Sequence, residues 1–418
     1  MPSARNILGH LFSFFVIAIA FLLPAFPRTT GFLIAALTII WLADGNIILK
    51  LKIIFRQPLA LLFTGVYAAY LLGMIATVHL SAGTENLLLK ISMLLFPLFF
   101  FAPGKLVLPP IRVVFRFFML GCLFCCLLLL SIATVSFFSN GTNHFTYTNL
   151  TAPLAIHPSY CSMYLLFSII TLMLPFLERK NNHLFGNAVI SGTAIVFFIL
   201  MIFLLSARQE MIALLLLLPA LLLYYFARRT NLLTGIAISA GMVGSLLLVI
   251  FFVPEAKMRL EKMQSQLEEP YTNNAPNSVT MRKVIWQSSL QVIQEHPFGV
   301  GTGDVTDALL QQYKENNLLS PLNDKLNAHN QFLQMALAIG IPGLLLFIIS
   351  IIAALRAAVP ARQPVYTLFL LLFLFCMVTE SMLESEAGVV FFSYFNALLA
   401  RAALMAENNE SIGKTLLL

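Results

Sequence analysis

The feature that most constrains this chain is a repeated one: apolar runs of bilayer-spanning length recur along nearly all of it. A helix needs about 20 apolar residues to cross a bilayer. Such runs fall near residues 6–26, 31–49, 58–80, 87–103, 113–138, 157–177, 188–205, 210–226, 232–253, 330–355, 364–380 and 387–405. A single buried core cannot absorb so many; only lipid can solvate them. Composition agrees: of 418 residues, 59% are hydrophobic and 10% charged, against roughly 25% charged in a soluble domain. Lipid offers no partner to an unpaired backbone amide, so each run has to be helical. The expected fold class is an all-α integral membrane protein with about twelve transmembrane helices. The run at 31–49 is the weakest, because Asp44, Gly45 and Asn46 interrupt its second half. The first run follows Arg5, but no small-x-small cleavage motif comes after it, which predicts an uncleaved first span.

Lysine and arginine in the short loops set the orientation. With the N-terminus inside, the inner side holds fifteen: Arg5, Lys50, Lys52, Arg56, Lys105, Arg112, Arg116, Arg179, Lys180, Arg228, Arg229, Arg356, Arg362, Arg401 and Lys414. The short outer segments hold only Arg28 and Arg208. Both termini are therefore expected in the cytoplasm. The net charge of +7 is spread along the inner boundary of the membrane, and no nucleic-acid partner is expected. The five cysteines lie in or beside apolar runs, which argues against a disulfide framework or zinc spacing.

The resulting organisation is spans one to nine over 1–253, one large outer loop over 254–329, and spans ten to twelve with a short cytoplasmic tail over 330–418. Within the loop, 255–268 reads as a charge-paired helix, 270–278 as a turn-rich break, 279–295 as a second helix and 304–316 as a third. The loop carries seven basic and nine acidic residues, so it is no general anion-binding patch. A second outer segment, 139–156, has no lysine, arginine or acid, and its Asn, Thr and Tyr suit sugar hydroxyls.

Residues able to do chemistry sit at helix starts on the outer face. Arg208, in SARQE, lies where an outward span ends and an inward one begins. Arg282 falls in the first turn of the loop's second helix, after the caps Asn277 and Ser278. His329, in AHNQFLQ, begins the tenth span, with Asn330 beside it. A helix start offers free N–H groups and the positive end of a dipole. Converging starts with two guanidinium groups would form an anion site. The same field keeps a histidine neutral and able to accept a proton. The plainer alternatives are interfacial anchoring for the arginines and capping for the histidine. Lys90 lies within a span, where an ionisable group marks function unless it snorkels outward. His157 opens the sixth span with Tyr160 one turn on. Glu380, Glu384 and Glu386 crowd the last outer turn, where they can balance the arginines or stay solvated. Gly299, Gly301 and Gly303 follow no strand, so they predict a flexible turn and not a dinucleotide loop. No metal-ligand cluster is visible along the outer loops; neither metal nor cofactor is expected.

The chain resembles the O-antigen ligase and O-antigen polymerase superfamily. The resemblance is carried by SAR at 206–208, MRKVIWQ at 281–287, HPFGVGTG at 296–303 and HNQFLQMALAIGIPGLLLF at 329–347, with His296 standing where relatives commonly have Asn. It implies a bacterial inner-membrane glycosyltransferase of GT-C-like fold whose large helical loop and active site face the periplasm. The implied donor is a glycan on undecaprenyl diphosphate, and the acceptor a sugar hydroxyl of lipid A–core (ligase) or of another lipid-linked repeat (polymerase). His329 then matches the proposed general base, Arg208 and Arg282 the arginines on the donor diphosphate, and Lys90, His157, Tyr160 and Asn330 are possible supporting residues. A protein O-oligosaccharyltransferase shares the architecture. A lipid-linked-glycan transporter is the reading from another class, and should show broken helices and mid-membrane ionisable groups. The polar candidates here gather at the outer boundary, which favours an enzyme.

Overall fold

In a computed structural model, residues 4–177, 184–229, 231–252, 257–258, 271–273, 277–359 and 363–415 are described. The described residues are helical or irregular, with no strand among them. Among the described residues, seven helices are long and apolar enough to cross a membrane, and an eighth span is reached if one sharply bent pair counts as one. Shorter apolar helices, Ile7–Leu22, Pro58–Gly73, Leu232–Ser245 and Pro364–Thr379, stand at other expected runs. This is a multi-pass, all-helical membrane protein.

The chain divides into two compact units. One comprises Met1–Phe15, Phe32–Leu108 and Ser265–Leu418; the other comprises Val16–Gly31 and Pro109–Gln264.

In the first unit, the Gln331–Ala358 helix packs on Pro58–Gly73, and Glu386–Thr415 packs on Ser92–Phe101. Aromatic side chains fill the second contact: Phe96 and Phe100 both meet Tyr394 edge-on, at 5.1 and 5.3 Å. Such contacts matter because lipid is as apolar as the core, leaving packing and interhelical hydrogen bonds to hold helices together. One such bond is buried: the Tyr366 hydroxyl donates to Asn396 Oδ1 at 2.7 Å.

Two helices of this unit are broken, and protein groups close both breaks. At the weak run, helices Pro27–Ala43 and Ile47–Arg56 meet at 108°, with Gly45 and Asn46 both left-handed. Lys50 is buried at this break. It pairs with Asp44 at 3.0 Å and donates to the Trp41 carbonyl at 2.6 Å. The second break is at Gly340, whose φ of 72° interrupts the Gln331–Ala358 helix. The loop 297–300 fills the gap, as Ile341 N–H donates to the Pro297 carbonyl and Val300 N–H to that of Leu337, at 2.9 and 2.8 Å. Backbone freed by a break in lipid must find such partners.

This corrects the expectation of a flexible turn at 299–303. Gly299 and Gly301 have φ of 89° and 106°, a region open mainly to glycine. A Cβ on Gly299 would lie 2.6 Å from the backbone N of Gly340, and one on Gly303 would lie 2.6 Å from that of Gly83. The loop is a fitted wedge. The two expected helices flanking it are present as Ser278–Glu295 and Val305–Glu315, while the helix expected at 255–268 lies almost wholly outside the described residues.

In the second unit, Ile111–Asn140, Pro158–Leu177, Ala188–Leu205, Arg208–Arg229 and Leu232–Phe252 form a helical array. Gly121 sits against the Phe21 carbonyl so tightly that a Cβ there would collide with it. All five cysteines of the chain are buried free thiols.

Candidate functional site

The first unit brings two remote residues, Arg282 and His329, together around the carboxylate of a third, Glu380. Asn277 caps the Ser278–Glu295 helix, its Oδ1 accepting from the N–H groups of Val279 and Thr280 at 3.1 and 2.8 Å. That fixes Arg282 one turn in. Its guanidinium forms an ion pair with Glu380 Oε1 and also donates through Nε to the Thr379 carbonyl at 3.0 Å. The other carboxylate oxygen, Glu380 Oε2, lies 3.1 Å from His329 Nδ1. Glu380 thus bridges Arg282 and His329.

His329 precedes its helix and does not cap it. The cap is Asn330, whose Oδ1 accepts from Phe332 and Leu333 N–H at 2.9 and 3.1 Å, while its Nδ2 donates to the Val378 carbonyl at 2.9 Å. His329 itself has φ of 43°, a left-handed conformation that costs a non-glycine residue on the order of 1–3 kcal/mol. Neighbours hold it there. Asn327 Oδ1 accepts its N–H at 3.0 Å, and the Trp286 indole donates to its carbonyl at 3.4 Å. Asn330 therefore positions the segment.

The chemistry of the ring follows from its partner. An ionised carboxylate paired with a guanidinium can only accept, so the His329–Glu380 hydrogen bond requires the proton on Nδ1. That leaves the Nε2 lone pair free to take a proton, the arrangement by which a carboxylate orients a histidine base. Glu380 is the residue whose role sequence reasoning left open. Its signal was faint: an acid among three in the last outer turn, 98 residues from Arg282.

Lys90 is not a snorkelling residue. It is fully buried, 2.9 Å from Glu384 Oε2, and donates to Asn86 Oδ1 at 2.6 Å. Its ammonium also lies 5.0 Å from the Tyr70 ring centroid. Beside this pair opens a cleft of about 710 Å³, lined by residues of the Leu80–Lys90 helix, Thr302 and Gly303 of the loop, the start of the Val305–Glu315 helix, Asn327, Gln334, Glu384 and Glu386.

The fold also assembles one cluster of potential metal ligands that the sequence does not display. The fold sets His79 against Asp304 and Asp307, with Nδ1 2.6 Å from Asp304 Oδ1 and 3.1 Å from Asp307 Oδ2. His79 lies more than 220 residues from the two aspartates in sequence, which is why no spacing motif betrays the cluster. Asp304 also accepts from Val78 and His79 N–H at 2.7 and 3.0 Å. Burial raises its pKa, but those two backbone bonds and the His79 ring outweigh burial and leave it below the ordinary carboxylate value.

The second unit holds the remaining expected residues. Arg208 opens the Arg208–Arg229 helix, two residues after Ser206, which is left-handed at φ 48° and donates to the Phe203 carbonyl at 2.8 Å. His157 immediately precedes the Pro158–Leu177 helix. There its Nδ1 accepts from Ser159 N–H at 3.3 Å, and its ring meets Tyr160 edge-on at 6.5 Å.

In a comparison with known families, residues 193–348 match the family described as O-antigen ligase. The matched stretch runs from before Arg208, through Arg282, to beyond His329, and bears out the resemblance carried by the motifs. No curated protein matches the chain.

Proposed function

With residues 193–348 falling in the O-antigen ligase family, we propose that the protein is an O-antigen ligase-type membrane glycosyltransferase. In this reading it has twelve spans of GT-C-like arrangement, lies in the bacterial inner membrane, and works on the periplasmic side. It moves a glycan from undecaprenyl diphosphate to a sugar hydroxyl of lipid A–core. His329 Nε2 takes the proton of the acceptor hydroxyl as its oxygen attacks the anomeric carbon. The bond from that carbon to the phosphate oxygen breaks, and undecaprenyl diphosphate leaves with the electron pair. Attack opposite the leaving group inverts the anomeric centre. Arg208 and Arg282 bind the donor diphosphate; charge balanced by guanidinium groups makes a metal unnecessary to the departure.

The single observation that supports this reading most is the Arg282–Glu380–His329 bridge. It couples the base to an arginine assigned to the donor, and it fixes the tautomer that a base requires. A polymerase acting on another lipid-linked repeat would use the same donor site and remains the second reading.

The test is transfer by purified protein from a lipid-linked donor. His329→Ala should lose transfer by at least about 10²-fold, the usual scale for a general base, while still inserting and expressing. Transfer should also survive EDTA. Retained activity in His329→Ala would sink the assignment. A deletion strain separates the two enzymes by gel: ligase loss leaves bare core with long lipid-linked polymer, polymerase loss leaves core bearing a single repeat.

A further inference from the structure

The cleft of about 710 Å³ in the first unit is within the range of ligand clefts, roughly 300–1,000 Å³. Three of its lining residues are amides whose carbonyl oxygens are already used inside the protein. Asn86 Oδ1 accepts from Lys90, Asn327 Oδ1 from His329 N–H, and Gln334 Oε1 from Ala328 N–H at 3.1 Å. Each is thereby fixed in orientation, and each has its NH₂ group left as a donor with no partner among the described residues. Alongside them stand the carboxylates of Glu85, Glu384 and Glu386. Fixed donors beside carboxylate acceptors are what a ring of sugar hydroxyls needs, since each hydroxyl both accepts and donates.

Two of these amides hold the backbone of Ala328 and His329. One wall of the cleft is therefore the segment that carries the base. The charge of the cleft is equally specific. Three carboxylates face two ammonium groups, Lys325 on the wall and the buried Lys90, and Lys90 is already committed to Glu384.

We propose that this cleft is the acceptor subsite and that it takes a neutral or amino-bearing sugar, while excluding one that carries phosphate. The proposal rests on the reading of His329 as base. An anionic sugar entering it would lose its hydration against a site with excess negative charge.

The measurement is saturation-transfer NMR on full-length protein in a non-glycosidic detergent. The probes are methyl β-glucopyranoside, its 2-amino counterpart and glucose 6-phosphate. The first two should bind, and the phosphate should bind about tenfold more weakly. Thr306→Trp, which fills the cleft, and Asn86→Leu, which removes a donor, should each abolish the neutral probe's signal. Glu85→Lys should narrow the discrimination against phosphate. No signal from the neutral probe, equal binding of the phosphate, or binding unchanged in both variants overturns the proposal. Failure of the transferase reading looks different. In that case sugars bind as stated, yet His329→Ala still transfers. If transfer needs His329 but the phosphate binds as well as the neutral sugar, the cleft assignment alone falls.

Discussion

At the scale of single residues, Glu380 carries the most consequence. It touches Arg282 with one oxygen and His329 with the other, so it serves both the charge and the tautomer. Glu380→Gln keeps the shape but can present N–H to a ring nitrogen that already carries a proton, which disfavours the Nδ1–H form. Transfer should fall by about 10²-fold or more, the scale at which base-orienting groups act. The double variant Glu380→Gln/His329→Ala should be no worse than His329→Ala alone, because residues that act as a unit are not additive. Full additivity would show that Glu380 acts elsewhere.

At the scale of elements, the 297–304 loop ties the 278–315 region to the helices it packs against. One end plugs the break at Gly340. At the other, Asp304 receives the N–H groups of Val78 and His79. Because the folded pKa of Asp304 is depressed, its contribution is present above the unfolded value of about 3.9 and fades as pH falls through the folded one. Asp304→Asn should therefore cost about 1.5–3 kcal/mol at neutral pH, typical of hydrogen bonds to a charged group, read as a lowered Tm. The wild-type and variant curves should converge as pH drops below about 4. A gap that stays constant as pH falls well below about 4 would mean the charge is not what holds the loop. His79 and Asp307 sit at the same tie, at a place where the sequence shows only isolated residues.

At the scale of the whole molecule, the fifteen-to-two bias of basic residues makes a prediction of its own. Reporter fusions placed after Ala406 should be active only if the reporter works in the cytoplasm, and fusions within 305–315 only if it works in the periplasm. The opposite pattern would invert the orientation and place His329 on the wrong side for a periplasmic donor.

The apolar runs alone dictated helices in lipid, since nothing but a helix satisfies its backbone within one segment there. Residue identities and short motifs also singled out Arg208, Arg282 and His329, because a helix start has a sequence signature: Asn277 caps as its position implies, whereas the cap beside His329 is Asn330 and not the histidine. What sequence could not reach was every partnership between remote positions. Glu380 with His329, Lys90 with Glu384, His79 with Asp304 and the loop seated at Gly340 each join segments at least 37 residues apart. Local propensity and hydropathy carry no information about such pairs. The positive φ at His329 and the burial of Lys90 exist only because tertiary contacts hold them. Solvation chose the elements; packing and the need to satisfy buried polar groups chose which of them meet.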